Sequence, residues 1–194
     1  MDATYETAVA QLVARAAANP AFLAAIGRVM HHGAPADSGG DPQAHAFAQL
    51  CDGRIWDSQR VAADALAKLG SPALELLAVG LDSSHPNVRH IATSTLAAAG
   101  DPRCVPNLLS WCRNGTWAAR GVALLEQVLR GAAGAVGAAD LLACATLDGA
   151  VQQSYGPPDW AGDEPLVSQT PVCCGAVRAI AQAELARRAS AVDE

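Results

Sequence analysis

An apolar stripe that recurs after thirty residues sets the tightest limit on how this 194-residue chain can fold. Val61, Ala62, Ala65, Leu66 and Leu69 occupy one side of a helix that starts near Asp57 and closes at Gly70. Ile91, Ala92, Thr95, Leu96 and Ala99 repeat that stripe and close at Gly100. Each glycine is followed by the same kind of helix start, Ser71-Pro72 and Asp101-Pro102, an N-cap with proline at the first helical position. The next helices match at a shift of 31, with Ala73, Leu74, Leu77, Ala78 and Leu81 against Cys104, Val105, Leu108, Leu109 and Cys112. Two helices per unit and a period near thirty mark a helical repeat. One such pair cannot bury both its faces, so neighbouring pairs must stack.

Composition agrees with helices packed closely together. The chain has 44 alanines and only 4% aromatic residues, which suits close helix packing and argues against a β-sandwich. With 51% apolar and 16% charged residues it has ample core material, and intrinsic disorder is excluded. The length and pattern predict one all-α domain over 1–194. Residues 1–56 read as capping helices, 57–150 as repeats, 151–170 as a long loop and 171–190 as a C-terminal helix. Within the capping region, Asn19-Pro20 separates a first helix from a second that reaches about Met30. His31 to Pro42 then reads as a loop, and Pro42 to Cys51 as a further helix. A degenerate third unit carries Arg120, Leu124, Leu125, Val128 and Leu129, with a helix near Val136–Leu147.

The pattern Asp82, Pro86-Asn87-Val88-Arg89, Ala92, Leu96, Gly100-Asp101-Pro102, Val105-Pro106, Leu108-Leu109 resembles the HEAT-like repeat in its short, bilin-lyase-type form. The resemblance is clearest over residues 57–112. It implies an α-α superhelix, a right-handed solenoid of stacked antiparallel helix pairs whose second helices line a concave side. It also implies that Arg60, Arg89 and Arg120 pair with aspartates of neighbouring repeats, Asp82 and Asp101 being the candidates. The family includes a di-iron hydroxylase whose repeats carry His-Glu dipeptides, and this sequence has none. Such repeats serve mostly as binding scaffolds, and fold alone does not name a function.

Charge and spacing narrow the partners. Nineteen acidic residues against thirteen basic ones, with Lys68 the single lysine, give a net charge of −6. That balance points away from nucleic acid, which requires clustered Lys and Arg, and towards a basic protein partner. No signal peptide or membrane span is expected, which makes a cytoplasmic protein with free thiols the simplest reading. No C-x-x-C or H-E-x-x-H spacing is present, so neither a metal nor another cofactor is expected.

Positions outside the stacking stripes are expected to face outward and hold a partner. They are Asp57, Asp64 and Lys68, then His90 and Ser94, then Trp117 and Glu126. Tyr155 and Trp160 in the long loop are of the types enriched at binding hot spots. Thr170 and Pro171 read as N-cap and N1 of the last helix, which sets Cys173 and Cys174 in its positive end as the most reactive thiols. Two functions follow from these features. One is a protein-binding module, an inhibitor or immunity-type protein among its forms. The other is a small helical-repeat enzyme of specialised metabolism acting on a small molecule, its pocket closed by the 151–170 loop.

Overall fold

The computed structural model describes residues 3–32, 58–155 and 167–191, and the chain divides into two compact units, Met1–Ala99 and Gly100–Glu194. The helix expected at 42–51 lies outside the described residues, as does Asp57. All-α describes both units, with one two-stranded hairpin in the second.

The first unit holds α1 (Ala3–Ala18), α2 (Pro20–His32), α3 (Ser58–Leu69), α4 (Ser71–Ala78) and α5 (Pro86–Ala98). Asn19 starts α2, because its side-chain oxygen accepts the N–H groups of Ala21 and Phe22 at 3.0 and 3.3 Å. Phe22, Ala25, Ile26, Val29 and Met30 then form the buried side of α2. Helix α3 packs against all four of the others, and the stripe from Val61 to Leu66 is fully buried. Gly70 ends α3 at φ 78°, where a β-carbon would meet no atom, so the constraint is the left-handed backbone itself. Gly80, in a short 3-10 turn at Val79–Asp82, is needed for space instead. A β-carbon there would lie 2.7 Å from Met30 Cε and 2.9 Å from Ala92 Cβ.

The second unit opens with Asp101, whose side chain accepts the Arg103 N–H and starts the 3-10 turn Pro102–Cys104. That turn runs into α6 (Val105–Arg113), followed by α7 (Ala118–Ala132), a 3-10 turn and α8 (Ala138–Ala145). Strands β1 (Val151–Tyr155) and β2 (Val167–Pro171) pair antiparallel, with Val151 opposite Pro171 and Tyr155 opposite Val167. Helix α9 (Gly175–Ser190) packs on α7 and α8. Leu108, Leu125, Leu129, Leu141 and Val177 form the centre of this core. Gly121 lets α6 and α7 approach, since a β-carbon there would lie 2.9 Å from Trp111 Cβ and 3.0 Å from the Cys112 nitrogen.

Four sequence expectations are corrected. The ends of the 151–170 segment are strands, because Gln153 N–H donates to Gly115 O at 2.6 Å and anchors β1 to the α6–α7 turn. Pro171 therefore ends β2, and α9 begins four residues later, with Cys174 at its N-cap. His31 and His32 belong to the last turn of α2 and not to a loop. Ser71 is the first residue of α4, and the N-cap position falls to Gly70 with no side-chain bond.

Candidate functional site

In the first unit, two of the expected contact residues meet through a third side chain. Asp64 on α3 accepts the Tyr5 hydroxyl at 2.5 Å and pairs with Arg60 at 3.3 Å. Arg60 also donates to Ser94 Oγ on α5 at 3.2 Å, and Ser94 donates in turn to Ile91 O. Burial, then the hydrogen bond and charge of Asp64, push the Tyr5 phenol well above its ordinary range. The network joins α1, α3 and α5. Ser94 is only 3% exposed, which corrects the expectation that it faces outward, because α5 is buried on all sides from Ile91 to Ala97. Lys68 is exposed and pairs with Glu6 at 2.7 Å, and His90 is half-buried. Arg89 donates to Ser83 O at 2.5 Å.

The same unit contains a group that the sequence did not bring together. His31 and His32 at the end of α2, Gln59 on α3, and His85, Asn87 and Val88 at the start of α5 line a cavity of about 260 Å³. His31 Nε2 lies 2.9 Å from Leu76 O, and a carbonyl can only accept, so Nε2 carries the proton there. Asn87 donates to Gln59 Oε1 at 2.9 Å, and Gln59 donates to Met30 O at 3.0 Å.

In the second unit, Trp117 is 37% exposed at the N-cap of α7. Its ring stands 6.1 Å from that of half-buried Trp111, tilted by 37°. Glu126 on α7 pairs with Arg130 at 2.5 Å. Asp101 takes Arg103 at 2.7 Å, in place of an arginine from a neighbouring repeat. Burial works against ionisation of Asp101, yet the bonds from Arg103 prevail and hold its carboxyl below the usual range. Tyr155 ends β1, while Trp160 lies outside the described residues.

The five described thiols divide by burial, Cys51 lying outside the described residues. Cys173 is exposed, whereas Cys104, Cys112, Cys144 and Cys174 are buried. Burial pushes Cys104 and Cys112 up to about 12 and Cys144 up to about 11. Cys173 does not occupy the third helical position, so the helix-end argument for its reactivity fails and access alone distinguishes it. Cys174 is buried at the N-cap, and its Sγ donates to Val172 O at 3.6 Å. Among the described residues no three His, Cys, Asp or Glu side chains are grouped to hold a metal ion. No helix among them is long and apolar enough to cross a membrane.

Short amphipathic helices packed in succession, with turns set by glycine and proline, define an all-α helical-repeat protein. Its family is shown by residues 45–140, about half of the chain, which match the model for HEAT repeats and belong to that family. HEAT repeats commonly mediate protein interaction. No curated protein and no solved structure matches the chain.

Proposed function

We propose that this HEAT-repeat protein is a cytoplasmic binding module for a basic protein partner, an inhibitor or immunity-type protein being one form. The observation that carries this reading is Trp117, a tryptophan exposed to solvent yet stiffened by the Trp111 ring behind it. An exposed tryptophan that is already ordered loses little freedom on binding, and tryptophan is among the commonest hot-spot residues. The net charge of −6 adds steering towards a cationic surface. Trp117 is taken as the anchor for its exposed aromatic area, with half-buried His90 a candidate on the first unit. Affinity capture from the native host, with the wild type and with Trp117→Ala, tests the reading. A captured protein of high isoelectric point that depends on Trp117 supports it. Capture dominated by nucleic acid, or identical with both baits, rejects it.

A further inference from the structure

The cavity between α2, α3 and α5 collects side chains that the protein-binding reading does not use. Three of the five histidines of the chain, His31, His32 and His85, line it together with the carboxamides of Gln59 and Asn87. In a chain with six more negative than positive charges, none of the six described lining residues is a carboxylate. The start of α5 opens into the same space. His85 stands at its N-cap without making a side-chain cap bond, and Pro86 has no N–H to satisfy. Asn87 and Val88 belong to the first turn, whose N–H groups have no acceptor inside the helix. The His32 and His85 imidazoles and the first turn of α5 thus border the cavity together, while the Gln59 carboxamide is bonded to Met30 O and Asn87. That convergence suits a tetrahedral group with several acceptor oxygens better than a planar carboxylate with two.

We propose that the cavity binds a small phosphate-type oxyanion, held by the imidazoles of His32 and His85, the Asn87 carboxamide and the first-turn amides of α5. His31 has a defined part in it. Its Nε2 proton is committed to Leu76 O, so any second proton must go to Nδ1, and the ring then becomes a cation. Among the described residues, the charged side chains on the surrounding elements do not supply a rival counter-ion from the lining. Arg60 is paired with Asp64, Arg89 with Ser83 O, Glu6 with Lys68, and Arg15 lies over the Phe22 ring. Arg28 on α2, Glu75 on α4 and Asp82 in the 3-10 turn stand near by along the chain but are not among the lining residues. A volume of about 260 Å³ admits a phosphate with a small organic group attached. The site lies on the first unit and does not depend on the role of Trp117.

The test is a titration of the full chain with inorganic phosphate, followed by the imidazole signals in NMR, with chloride at equal ionic strength as control and His90 as internal reference. Saturable shifts are expected at His31, His32 and His85 that chloride does not produce. A phosphate monoester run in parallel separates the two sources of the group: tighter binding of the ester assigns a phosphorylated metabolite, equal binding the free ion. Asn87→Asp places one negative charge in the lining with almost no change of shape, and should weaken phosphate by about tenfold or more. His32→Gln and His85→Gln, both at exposed positions, should weaken it while leaving the melting temperature unchanged. Shifts no larger than those with chloride, or undiminished binding in Asn87→Asp, would overturn the proposal. So would saturable zinc binding at the same three histidines without any phosphate effect, which would make the cavity a metal site.

Discussion

The side-chain oxygen of Gln152 on β1 accepts the backbone N–H of Ala119 in the first turn of α7, at 3.0 Å and 33 residues away along the chain. The amide nitrogen of the same side chain donates to Thr116 O at 2.8 Å. Gln152 thus caps α7 from outside, where Trp117 at the N-cap makes no side-chain cap bond. Replacing Gln152 with Ala should cost about 1 kcal/mol, in the range of a lost helix cap. It should also raise hydrogen exchange at Ala119 and Gln153, because the same side chain holds the hairpin to the turn. Unchanged exchange at both amides would mean that the hairpin is held elsewhere.

Close helix approach in the second unit rests on Gly121. Gly121→Ala forces a β-carbon to 3.0 Å from the Cys112 backbone, which cannot give way as a side-chain tip could. The expected loss is about 1–3 kcal/mol. Gly131→Ala is the control, since a β-carbon there meets no atom within 4 Å. Equal melting temperatures for the two variants would contradict this account of α6–α7 packing.

Among the thiols, access and burial give a definite order. Of the five described cysteines, Cys173 should alkylate first in the native protein, and Cys104, Cys112 and Cys144 should stay unmodified until the chain unfolds. Timed alkylation with peptide mapping reads this order directly. Early labelling of Cys112 or Cys144 would show that the core of the second unit opens far more often than its burial implies.

Acid should reach the end of α9 late. Bonds first from Arg187 and then from Arg188 hold the Glu184 carboxyl down at about 2, against an ordinary 4.5. Its value is depressed in the folded state, so the pairing contributes above the unfolded value and is lost as pH falls from about 4.5 through about 2. Arg188 also donates to the carbonyls of Ala133, Gly134 and Val136, which ties α9 to the turn after α7. A carbon-13 titration should find Glu184 still ionised when ordinary glutamates have protonated, and Arg188→Ala should raise its midpoint. A midpoint near 4.5 in the wild type would refute the pairing.

The repeat was legible because its information is local. The stripe residues Val61 to Leu69 and Ile91 to Ala99 recur in register, and Gly70 and Gly100 both take the left-handed conformation that ends a helix. Asn19 and Asp101 cap as their residue types suggest. The hairpin was not legible, because Val151-Gln-Gln-Ser-Tyr and Val167-Ser-Gln-Thr-Pro show little alternation of apolar and polar residues. What makes β1 a strand is pairing with β2 and a bond to Gly115, both distant in sequence. Ser94 was misplaced for a related reason: one stripe cannot reveal that a helix is covered on every side. The histidine cavity unites positions 31–32 with 85–88, and no periodic signal links them.

The central claim is that Trp117 anchors a protein partner. Affinity capture with the wild type and Trp117→Ala, paired with a melting curve of each, tests it most directly. The account predicts that the captured protein is lost with Trp117→Ala while the melting temperature changes little, the exposed 37% of Trp117 being the part offered to the partner. Undiminished capture by Trp117→Ala, or loss accompanied by a drop of several degrees, would contradict it and make the tryptophan pair a support for the α6–α7 turn.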